Sequence, residues 1–329
     1  MRTSRQRQAG PQHYQERSPS IYDAAMPSPA ATAGRPPAIS VIGLGQAGVV
    51  AVGCLAHLGF PVVGVDIRAE RNAGMLDGNA PVPEARLERL LLDGVRGGRI
   101  RASQNLITAV METDVTLMTA GADASIEADL DQTSRAIGQA LALKHGYHVV
   151  VLAGDAPHGC LETVVRPVLE RASAKRLGAD FGLACMPRLG HPGMTVIDFF
   201  ASSRTLVGAS DLRAAAAVAG IVQLVDADAI FTTIEVAEMV HRADRLWQAT
   251  RAAFDQEVGR LCHALAVDGD EVMDLFRRGV RANSPPSEIG PARARASASD
   301  ARQLRAVARL GCERGIELPL IESLLARST

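Results

Sequence analysis

The feature that most constrains this chain is a glycine-rich turn placed between two predicted strands. Residues 39–42 form a short apolar segment, the size of a buried strand, and the sequence GLGQAG follows directly at 43–48. Small residues at 49–58 then predict a helix, and residues 62–65 predict a second strand that leads into Asp66. A strand, a tight turn, a helix and a second strand in this order predict the first unit of a parallel α/β sheet.

Each part of this turn has a physical role in binding a dinucleotide. Gly43 permits the tight turn, Gly45 lets the backbone approach a pyrophosphate, and Gly48 lets the helix pack against the strand. The helix starts near Gln46 and Ala47, and the N–H groups at a helix N-terminus bind phosphate oxygens. These five residues therefore form the predicted pyrophosphate-binding part of a cofactor site.

Asp66 completes the pattern. It lies 18 positions beyond Gly48, near the spacing expected for a carboxylate that binds the ribose 2′-hydroxyl. A carboxylate at this place repels a 2′-phosphate, so NAD is favoured over NADP, and Arg71 is included in the predicted cofactor site. The alternative is a Rossmann unit that has kept its shape but lost its ligand.

The composition excludes several classes of partner. The chain has 329 residues, of which 47% are hydrophobic, and a net charge of −1. This length gives room for a large core and two domains, and the charge gives no reason to expect nucleic acid or an anionic membrane as a partner. No apolar run reaches the length of a membrane span.

The cysteines and histidines predict neither disulfides nor a metal site. Five scattered cysteines without a CxxC pair favour a reducing cytoplasm. The histidines show no metal-ligand spacing, and His145 and His148, which lead into a predicted strand, are expected to be solvated loop residues.

The pattern along the chain predicts three regions. Residues 1–37 are rich in Ser, Pro, Gln, Arg and Ala without periodicity, so we expect a disordered extension, and Met26 is an alternative start. Residues 38–232 alternate strands with helices and predict a Rossmann-type, doubly wound parallel sheet that binds NAD. Strands are predicted at 39–42, 62–65, 115–118, 148–152, 181–185, 205–207 and 229–232, and helices at 84–93, 132–143 and 212–225.

Residues 233–329 predict a long central helix followed by a small all-helical domain. Helical 3–4 spacing of apolar residues continues for about 33 residues from 233 to 266, which is roughly 50 Å of helix. One small domain cannot bury such a helix, so we expect it to link domains or to mediate dimerisation. Trp247 and Phe254 lie on one stripe and are the candidate anchors, unless they belong to the domain's own core. The remaining expectations are a helix starting at 271–276, a loose loop at 281–299, and helices at 299–311 and 318–327.

Between residues 41 and 325 the sequence resembles the UDP-glucose/GDP-mannose 6-dehydrogenase family, and it is somewhat closer to the GDP-mannose branch. The matching stretches, in order, are VIGLGQAG (41–48), VVGVD (62–66), PVPEARLERLL (81–91), ETDVTLMTAGA (112–122), ADLD (128–131), HVVV (148–151), DFGLACMP (180–187), EVAEM (235–239), VDGDEVMD (267–274) and ELPLIESLL (317–325). The resemblance implies an NAD-binding domain, a long helix that dimerises, and a C-terminal nucleotide-sugar domain. By the same resemblance, the chain ends where that third domain is expected to begin.

The resemblance also implies a reaction whose residues are replaced here. Family members oxidise a sugar C6 alcohol to a carboxylate in two NAD-dependent steps, through a thioester on a cysteine. The G-G-S-C-L-P-K-D motif reads RARASASD at 293–300, so Ala296 stands at the cysteine and Ser299 at the lysine. A second lysine position holds His241, and the family's glutamate position holds Arg188. A thioester needs a thiolate, which alanine cannot supply, so these four positions are predicted to be degenerate.

Other positions of the family site have also changed. The G-T-P turn reads GAD at 121–123, the R-S-T turn reads LAG at 152–154, and an asparagine position holds Arg245. His241 could act as a base on an alcohol, but a solvated or helix-packed histidine is the favoured interpretation. The arginines at 188, 245, 293 and 295 could form an anion site, although solvent-facing side chains are expected.

Three functions therefore stay open from the sequence. The first is an inactive relative that binds NAD and acts through a partner, either as a homodimer or as a heterodimer with a full-length nucleotide-sugar dehydrogenase. The second is an active NAD-dependent oxidoreductase with altered chemistry on the CH–OH group of a nucleotide sugar. The third is an assembly protein without a ligand.

Overall fold

The computed structural model describes residues 35–120, 126–154, 159–187, 195–200, 205–281, 298–313 and 315–326. The predicted disordered extension at 1–34 and most of the predicted loop at 281–299 lie outside these residues. The strands are β1 (Ile39–Ile42), β2 (Val62–Val65), β3 (Ile100–Ser103), β4 (Val115–Ala120), β5 (His148–Gly154), β6 (Phe181–Met186), β7 (Leu206–Ala209) and β8 (Ile230–Thr233).

The helices alternate with these strands and then continue alone. They are α1 (Gln46–His57), α2 (Ala69–Leu76), α3 (Ala85–Arg96), α4 (Leu106–Glu112), α5 (Ile126–Leu143), α6 (Arg166–Ser173), α7 (Val196–Phe200), α8 (Leu212–Val222), α9 (Ile234–Ala264), α10 (Gly269–Arg281), α11 (Ala298–Glu313) and α12 (Pro319–Ala326). A short π-helical segment, Leu161–Val165, leads into α6.

All eight strands form one sheet in the order β3-β2-β1-β4-β5-β6-β7-β8. The first six are parallel, β7 is antiparallel to β6, and β8 is parallel to β7. The chain moves outward from β1 to β3 and then returns to place β4 on the other side of β1. This reversal opens a crevice at the carboxyl ends of β1 and β4, the position where ligands bind in doubly wound sheets. The predicted α/β Rossmann-type fold is confirmed.

The structure adds one strand and one reversal to the predicted sheet. β3 was not predicted, because it is short, it lies at the edge of the sheet, and only Ile100 of its four residues is buried. β7 runs against β6, which the alternation of strands and helices could not indicate. The predicted bounds of β1 and β2 match the observed ones, and those of the other predicted strands differ by one or two residues.

Two layers of helices cover the sheet. The helices α1, α3, α7 and α8 pack on one face, and α4, α5, α6 and the start of α9 pack on the other. α1 is buried at nine consecutive positions from Gly48 to Ala56 because it is enclosed by the sheet, α3 and α7. Its small side chains allow this close packing, as the sequence predicted.

The long helix α9 spans 31 residues, which is roughly 46 Å. Its N-terminus is capped by the Thr233 hydroxyl, which accepts a hydrogen bond from the Val236 N–H at 3.4 Å. Farther along, Ala249 of α9 packs with Leu304 of α11 and with Ile321 and Leu324 of α12. The division of the chain at 232/233 stays a prediction.

One face of α9 carries large apolar side chains that the described residues leave exposed. Trp247 is 59% exposed and Phe254 is 45% exposed, and Val240 and Leu261 continue the stripe at the same seven-residue spacing. Within the described residues neither aromatic side chain is a core residue, so the alternative that both belong to the domain core is wrong there.

Candidate functional site at the carboxyl edge of the sheet

The glycine turn after β1 has a strained shape that glycine makes possible. Gly43 has a φ of 92°, in the region that side-chain-bearing residues rarely adopt, and its N–H donates to the Val65 carbonyl at 2.9 Å. A Cβ atom placed on Gly48 would lie 1.9 Å from the Gly43 oxygen. Gly48 therefore lets α1 approach the turn more closely than any other residue could.

Gly45 differs from its two neighbours in the motif because it faces open space. Among the described residues, a Cβ atom placed on it would meet nothing within 4 Å. Gly45 is also the N-cap of α1, and the first turn of this helix carries no acidic side chain. The positive end of the helix dipole therefore lies beside Gly45 and is not neutralised by a carboxylate of that turn. Open space beside a glycine and a helix N-terminus together suit the close approach of a phosphate.

Gln46 and Ala47 form the first turn of α1 together with Gly48. The Gln46 side chain accepts a hydrogen bond from the Val82 N–H at 2.9 Å, so it ties the segment before α3 to the start of α1. This hydrogen bond holds the start of α1 against the segment that precedes α3.

Asp66 lies at the end of β2 and binds the glycine turn directly. One carboxylate oxygen accepts from the Leu44 N–H at 2.9 Å and from Arg71 at 3.2 Å, and the other accepts from the Arg68 N–H at 3.0 Å. A carboxylate offers about four acceptor positions, so these three donors leave capacity for a ribose hydroxyl. Asn72 also bonds the Asp66 main chain through its side-chain amide and carbonyl groups.

The hydrogen bonds keep Asp66 ionised despite its burial. Burial by itself would raise the pKa of this carboxyl, but the N–H groups of Arg68 and Leu44, together with Arg71, outweigh it and lower the pKa below its ordinary value of 3.8. Asp66 therefore remains a carboxylate at neutral pH, as a group that binds a ribose hydroxyl must.

Thr119 belongs to this site and was missed by the sequence analysis. Its hydroxyl, near the end of β4, lies 2.7 Å from the Gly43 oxygen and 3.0 Å from the Ile42 oxygen, and it donates to these carbonyls. The signal that could have found it is its place after the apolar run of β4, next to β1 at the topological switch point.

The residues brought together here fit a dinucleotide. The open position at Gly45, the N-terminus of α1 and the ionised Asp66 offer the groups that a pyrophosphate and a ribose require. The side chains of Arg68 and Arg71 flank the same carboxylate at 3.6 and 3.2 Å.

The positions expected to carry catalysis are arranged differently. His241 is 4% exposed and Arg245 is 7% exposed, and both lie on the buried face of α9. The expectation that Arg245 is solvent-facing is therefore wrong, and of the two interpretations of His241 the helix-packed one agrees with the structure. Arg188, Ala296 and the 121–123 turn lie outside the described residues, and Ser299 belongs to α11.

Glu238 anchors this part of α9 near the carboxyl end of β5. Its carboxylate accepts a hydrogen bond from the Gly159 N–H at 2.7 Å. Burial raises the pKa of Glu238, although the hydrogen bond from Gly159 and the charge of Arg242 act in the opposite direction. Burial likewise lowers the pKa of Arg242, against the attraction of Glu238. Because His241 follows Glu238 by three positions, it faces the same edge of the sheet.

His148 and Lys144 have structural roles at the opposite, amino edge of the sheet. His148 is completely buried, and its Nε2 lies 2.8 Å from the Thr116 hydroxyl, so the expectation of a solvated loop residue is wrong for it. Burial lowers its pKa to about 3. The Lys144 ammonium donates to the main-chain carbonyls of Val110 and Thr113, at the end of α4. It is therefore too far along the sheet to replace a lysine of the crevice.

Within the described part of the chain, no group of three or more His, Cys, Asp or Glu side chains is placed to hold a metal ion. In the same residues, no helix is both long and apolar enough to cross a membrane.

Comparison with known proteins agrees with this geometry. Residues 37–225 match the sequence profile of the NAD binding domain of the UDP-glucose/GDP-mannose dehydrogenase family. GDP-mannose 6-dehydrogenase of Azotobacter vinelandii is 32% identical over 292 residues, which cover 87% of this chain and 67% of that enzyme.

Solved structures show the same fold. A UDP-glucose dehydrogenase from the hyperthermophilic archaeon Pyrobaculum islandicum is 26% identical with a TM-score of 0.79, and the alignment covers 90% of this chain and 69% of the other. GDP-mannose dehydrogenase from Pseudomonas aeruginosa, solved as a ternary complex, is 29% identical with a TM-score of 0.71 over 88% of this chain and 68% of the other.

Proposed function

This chain belongs to the UDP-glucose/GDP-mannose dehydrogenase family, and we propose that it is an NAD-binding member that does not catalyse the four-electron oxidation of nucleotide sugars and that acts through a partner protein. The cofactor is NAD, as the matched domain indicates. The alternative is an active oxidoreductase with altered chemistry.

The glycine turn and Asp66 are the groups that hold NAD in this proposal. The open space at Gly45 and the N-terminus of α1 receive the pyrophosphate, and the remaining acceptor capacity of Asp66 receives the ribose hydroxyl. Bound NAD would supply a hydride acceptor. The ionised Asp66 disfavours a 2′-phosphate, which supports NAD over NADP.

The absence of a thiol at the family's nucleophile position carries the proposal of inactivity. By the family resemblance, the nucleophile position is Ala296. Burial raises the pKa of both Cys54 and Cys185 to about 12, so neither is a thiolate at neutral pH. Cys160 and Cys262 are buried as well, and the exposed Cys312 lies on α11. Without a thiolate at the nucleophile position no thioester forms there, and the second oxidation has no route.

The burial of His241 argues against the alternative of an active enzyme with a new base. A general base must come within hydrogen-bonding reach of the proton that it removes. His241 has 4% of its surface exposed, and the family's other lysine and glutamate positions hold Ser299 and Arg188. Losing several groups that act as a unit is not compensated by one remaining residue.

The partner in this proposal binds the apolar stripe of α9, defined by Val240, Trp247, Phe254 and Leu261. Phe254 also contacts the Phe276 ring at 5.6 Å, so the apolar surface continues onto α10. Exposed aromatic side chains in a row are typical of protein interfaces. The proposed partner is a second copy of this chain or a full-length nucleotide-sugar dehydrogenase.

The five free cysteines support the further proposal that the protein works in the cytoplasm. A reducing compartment keeps thiols unpaired, which agrees with their scattered positions.

The test combines a binding measurement with an activity measurement. We expect calorimetry to detect NAD binding, and we expect no NADH formation with GDP-mannose or UDP-glucose. The Azotobacter vinelandii GDP-mannose 6-dehydrogenase serves as the positive control. Ala296→Cys alone should recover no turnover, because the other replaced groups remain replaced. Turnover within about a hundredfold of the control would overturn the proposal of inactivity.

A thermal-shift titration separates the three functions. Stabilisation by NAD alone supports the inactive NAD-binding protein, because the cofactor site works without a sugar site. Stabilisation by NAD and by a nucleotide sugar supports the active oxidoreductase. Stabilisation by neither supports the assembly protein.

A further inference from the structure

The peptide group between Gly43 and Leu44 is held at both ends by neighbouring strands. Its carbonyl oxygen accepts from the Thr119 hydroxyl at 2.7 Å, and its N–H donates to the Asp66 carboxylate at 2.9 Å. Thr119 lies on β4 and Asp66 follows β2. The two strands on either side of β1 therefore each supply a hydrogen-bonding partner for one end of the same peptide group.

This peptide plane determines where the next residue of the turn lies. Gly43 has a φ of 92°, and glycine adopts other backbone angles as readily, so sequence alone does not hold the turn in one shape. Rotation of the peptide would turn the Gly43 oxygen away from Thr119 and would move the Gly45 N–H group at the start of α1. Fixed hydrogen bonds at both ends resist that rotation.

Among the described residues, the Gly43 oxygen is closely packed between Gly48 and the Thr119 hydroxyl. It packs against the Cα atom of Gly48, where an added Cβ would be 1.9 Å away and would also lie 3.3 Å from the Thr119 hydroxyl. A carbonyl that is packed in this way and loses its hydrogen-bond donor costs free energy in the binding conformation of the turn. A conformation with a rotated peptide is then populated as well.

We infer that Thr119 is a positioning residue for NAD: its hydroxyl holds the Gly43–Leu44 peptide in the orientation that binds the pyrophosphate. Asp66 acts on the N–H end of the same peptide, so it contributes to the shape of the turn as well as to the ribose. This inference deepens the proposed NAD site and rests on it.

Pre-organisation predicts the size of the effect. If the turn holds its binding conformation for only a fraction of the time, the apparent affinity for NAD is reduced to that fraction of its intrinsic value. The loss of one neutral hydrogen bond changes such an equilibrium by about 2- to 12-fold. Thr119→Val, which keeps the side-chain shape and removes the hydroxyl, should therefore weaken NAD by up to about 12-fold, with the full factor reached where the rotated turn predominates in the variant, and mainly through a slower association rate.

Two variants control for fold and for shape. Thr119→Ser keeps the hydroxyl and should bind NAD within about twofold of the unmutated protein. Thr116→Val removes a buried hydroxyl from the same strand, where Thr116 bonds Ser40 at 2.8 Å and His148 rather than the turn. It should lower the melting temperature and leave the NAD dissociation constant unchanged, because its effect is on stability alone.

The experiment measures NAD affinity by calorimetry well below the melting temperature, association by stopped flow, and hydrogen exchange of the Leu44–Ala47 amides without ligand. We expect faster exchange of these amides in Thr119→Val but not in Thr116→Val or Thr119→Ser. Equal NAD affinity in Thr119→Val, or an equal loss in Thr116→Val, would overturn the inference. If the unmutated protein binds no NAD, the proposed function fails, and amide exchange alone then decides whether Thr119 holds the turn.

Discussion

Alanine at Gly45 and alanine at Gly48 should have opposite consequences, although the two positions are three residues apart in one motif. A Cβ atom at Gly48 would lie 1.9 Å from the Gly43 oxygen, whereas carbon and oxygen normally stay at least about 3.3 Å apart. A Cβ atom at Gly45 meets no atom of the described residues within 4 Å, and the Gly45 φ of −71° is one that alanine adopts freely. The first substitution therefore acts on folding and the second acts on the ligand.

The sizes of both effects follow from this geometry. Gly48→Ala forces α1 away from the turn by roughly 1 Å or more. Such overpacking lowers the free energy of unfolding by about 1–3 kcal/mol. In a domain of about 200 residues this lowers the melting temperature by roughly 2–12 °C. Gly45→Ala should cost under about 1 kcal/mol of stability, as substitutions at a helix N-cap do. Its methyl group fills the space that a pyrophosphate needs, so we expect at least about a tenfold loss of NAD affinity.

A thermal-shift titration measures both effects in one assay. With NAD at a hundred times the dissociation constant of the unmutated protein, the cofactor stabilises it by about 2.7 kcal/mol. At the same concentration a tenfold weaker Gly45→Ala protein gains only about 1.4 kcal/mol, so its NAD-dependent shift should fall to roughly half. Gly48→Ala should melt lower before any NAD is added. A Gly45→Ala protein that keeps the whole shift would refute the assignment of this open space to the cofactor.

Three further predictions follow from the described contacts. Asp66→Ala should weaken NAD by about tenfold or more in calorimetry, because the ribose acceptor and the Leu44 hydrogen bond are lost together; unchanged affinity would contradict it. Because the folded pKa of His148 is about 3 against an ordinary 6.5, unfolding requires less free energy as pH falls from 6.5 towards 3, by up to about 1.4 kcal/mol per pH unit. Urea unfolding of His148→Gln should lose that part of the slope, and an unchanged slope would refute the assignment. Trp247→Glu and Phe254→Glu should each raise the dissociation constant of a dimer at least about thirtyfold, as measured by sedimentation velocity. If the unmutated protein is a monomer and no dehydrogenase co-purifies with it, the proposed interface is contradicted.

Much of the fold could be predicted because its signals are local. The strands around the glycine turn are contiguous apolar runs, and the turn's glycines and Asp66 occur within one stretch of 24 residues. The helical spacing of α9 likewise predicted its 31-residue length within a few residues. Local patterns of this kind report the conformation of a segment, because each depends on the periodicity of its own side chains.

The exposure of a side chain was predicted wrongly where the packing around it, and not its residue type, determines burial. His148 and Arg245 are polar, so solvent exposure was expected, yet both are buried. The structure buries His148 at the start of a central strand, where Thr116 is its hydrogen-bonding partner. Residue type describes an average preference, whereas burial depends on which elements pack over a position.

The sequence by itself determined that the chain forms a Rossmann-type unit with a dinucleotide turn, and that the family's nucleophile position is alanine. Only the tertiary structure decided which distant groups hold that turn in shape. Thr119 and Asp66 are 53 positions apart in the chain, and they meet at the Gly43–Leu44 peptide because β4 and β2 flank β1. Strand order is settled by non-local packing and crossover connections, so no local pattern could have placed these two side chains on one peptide group.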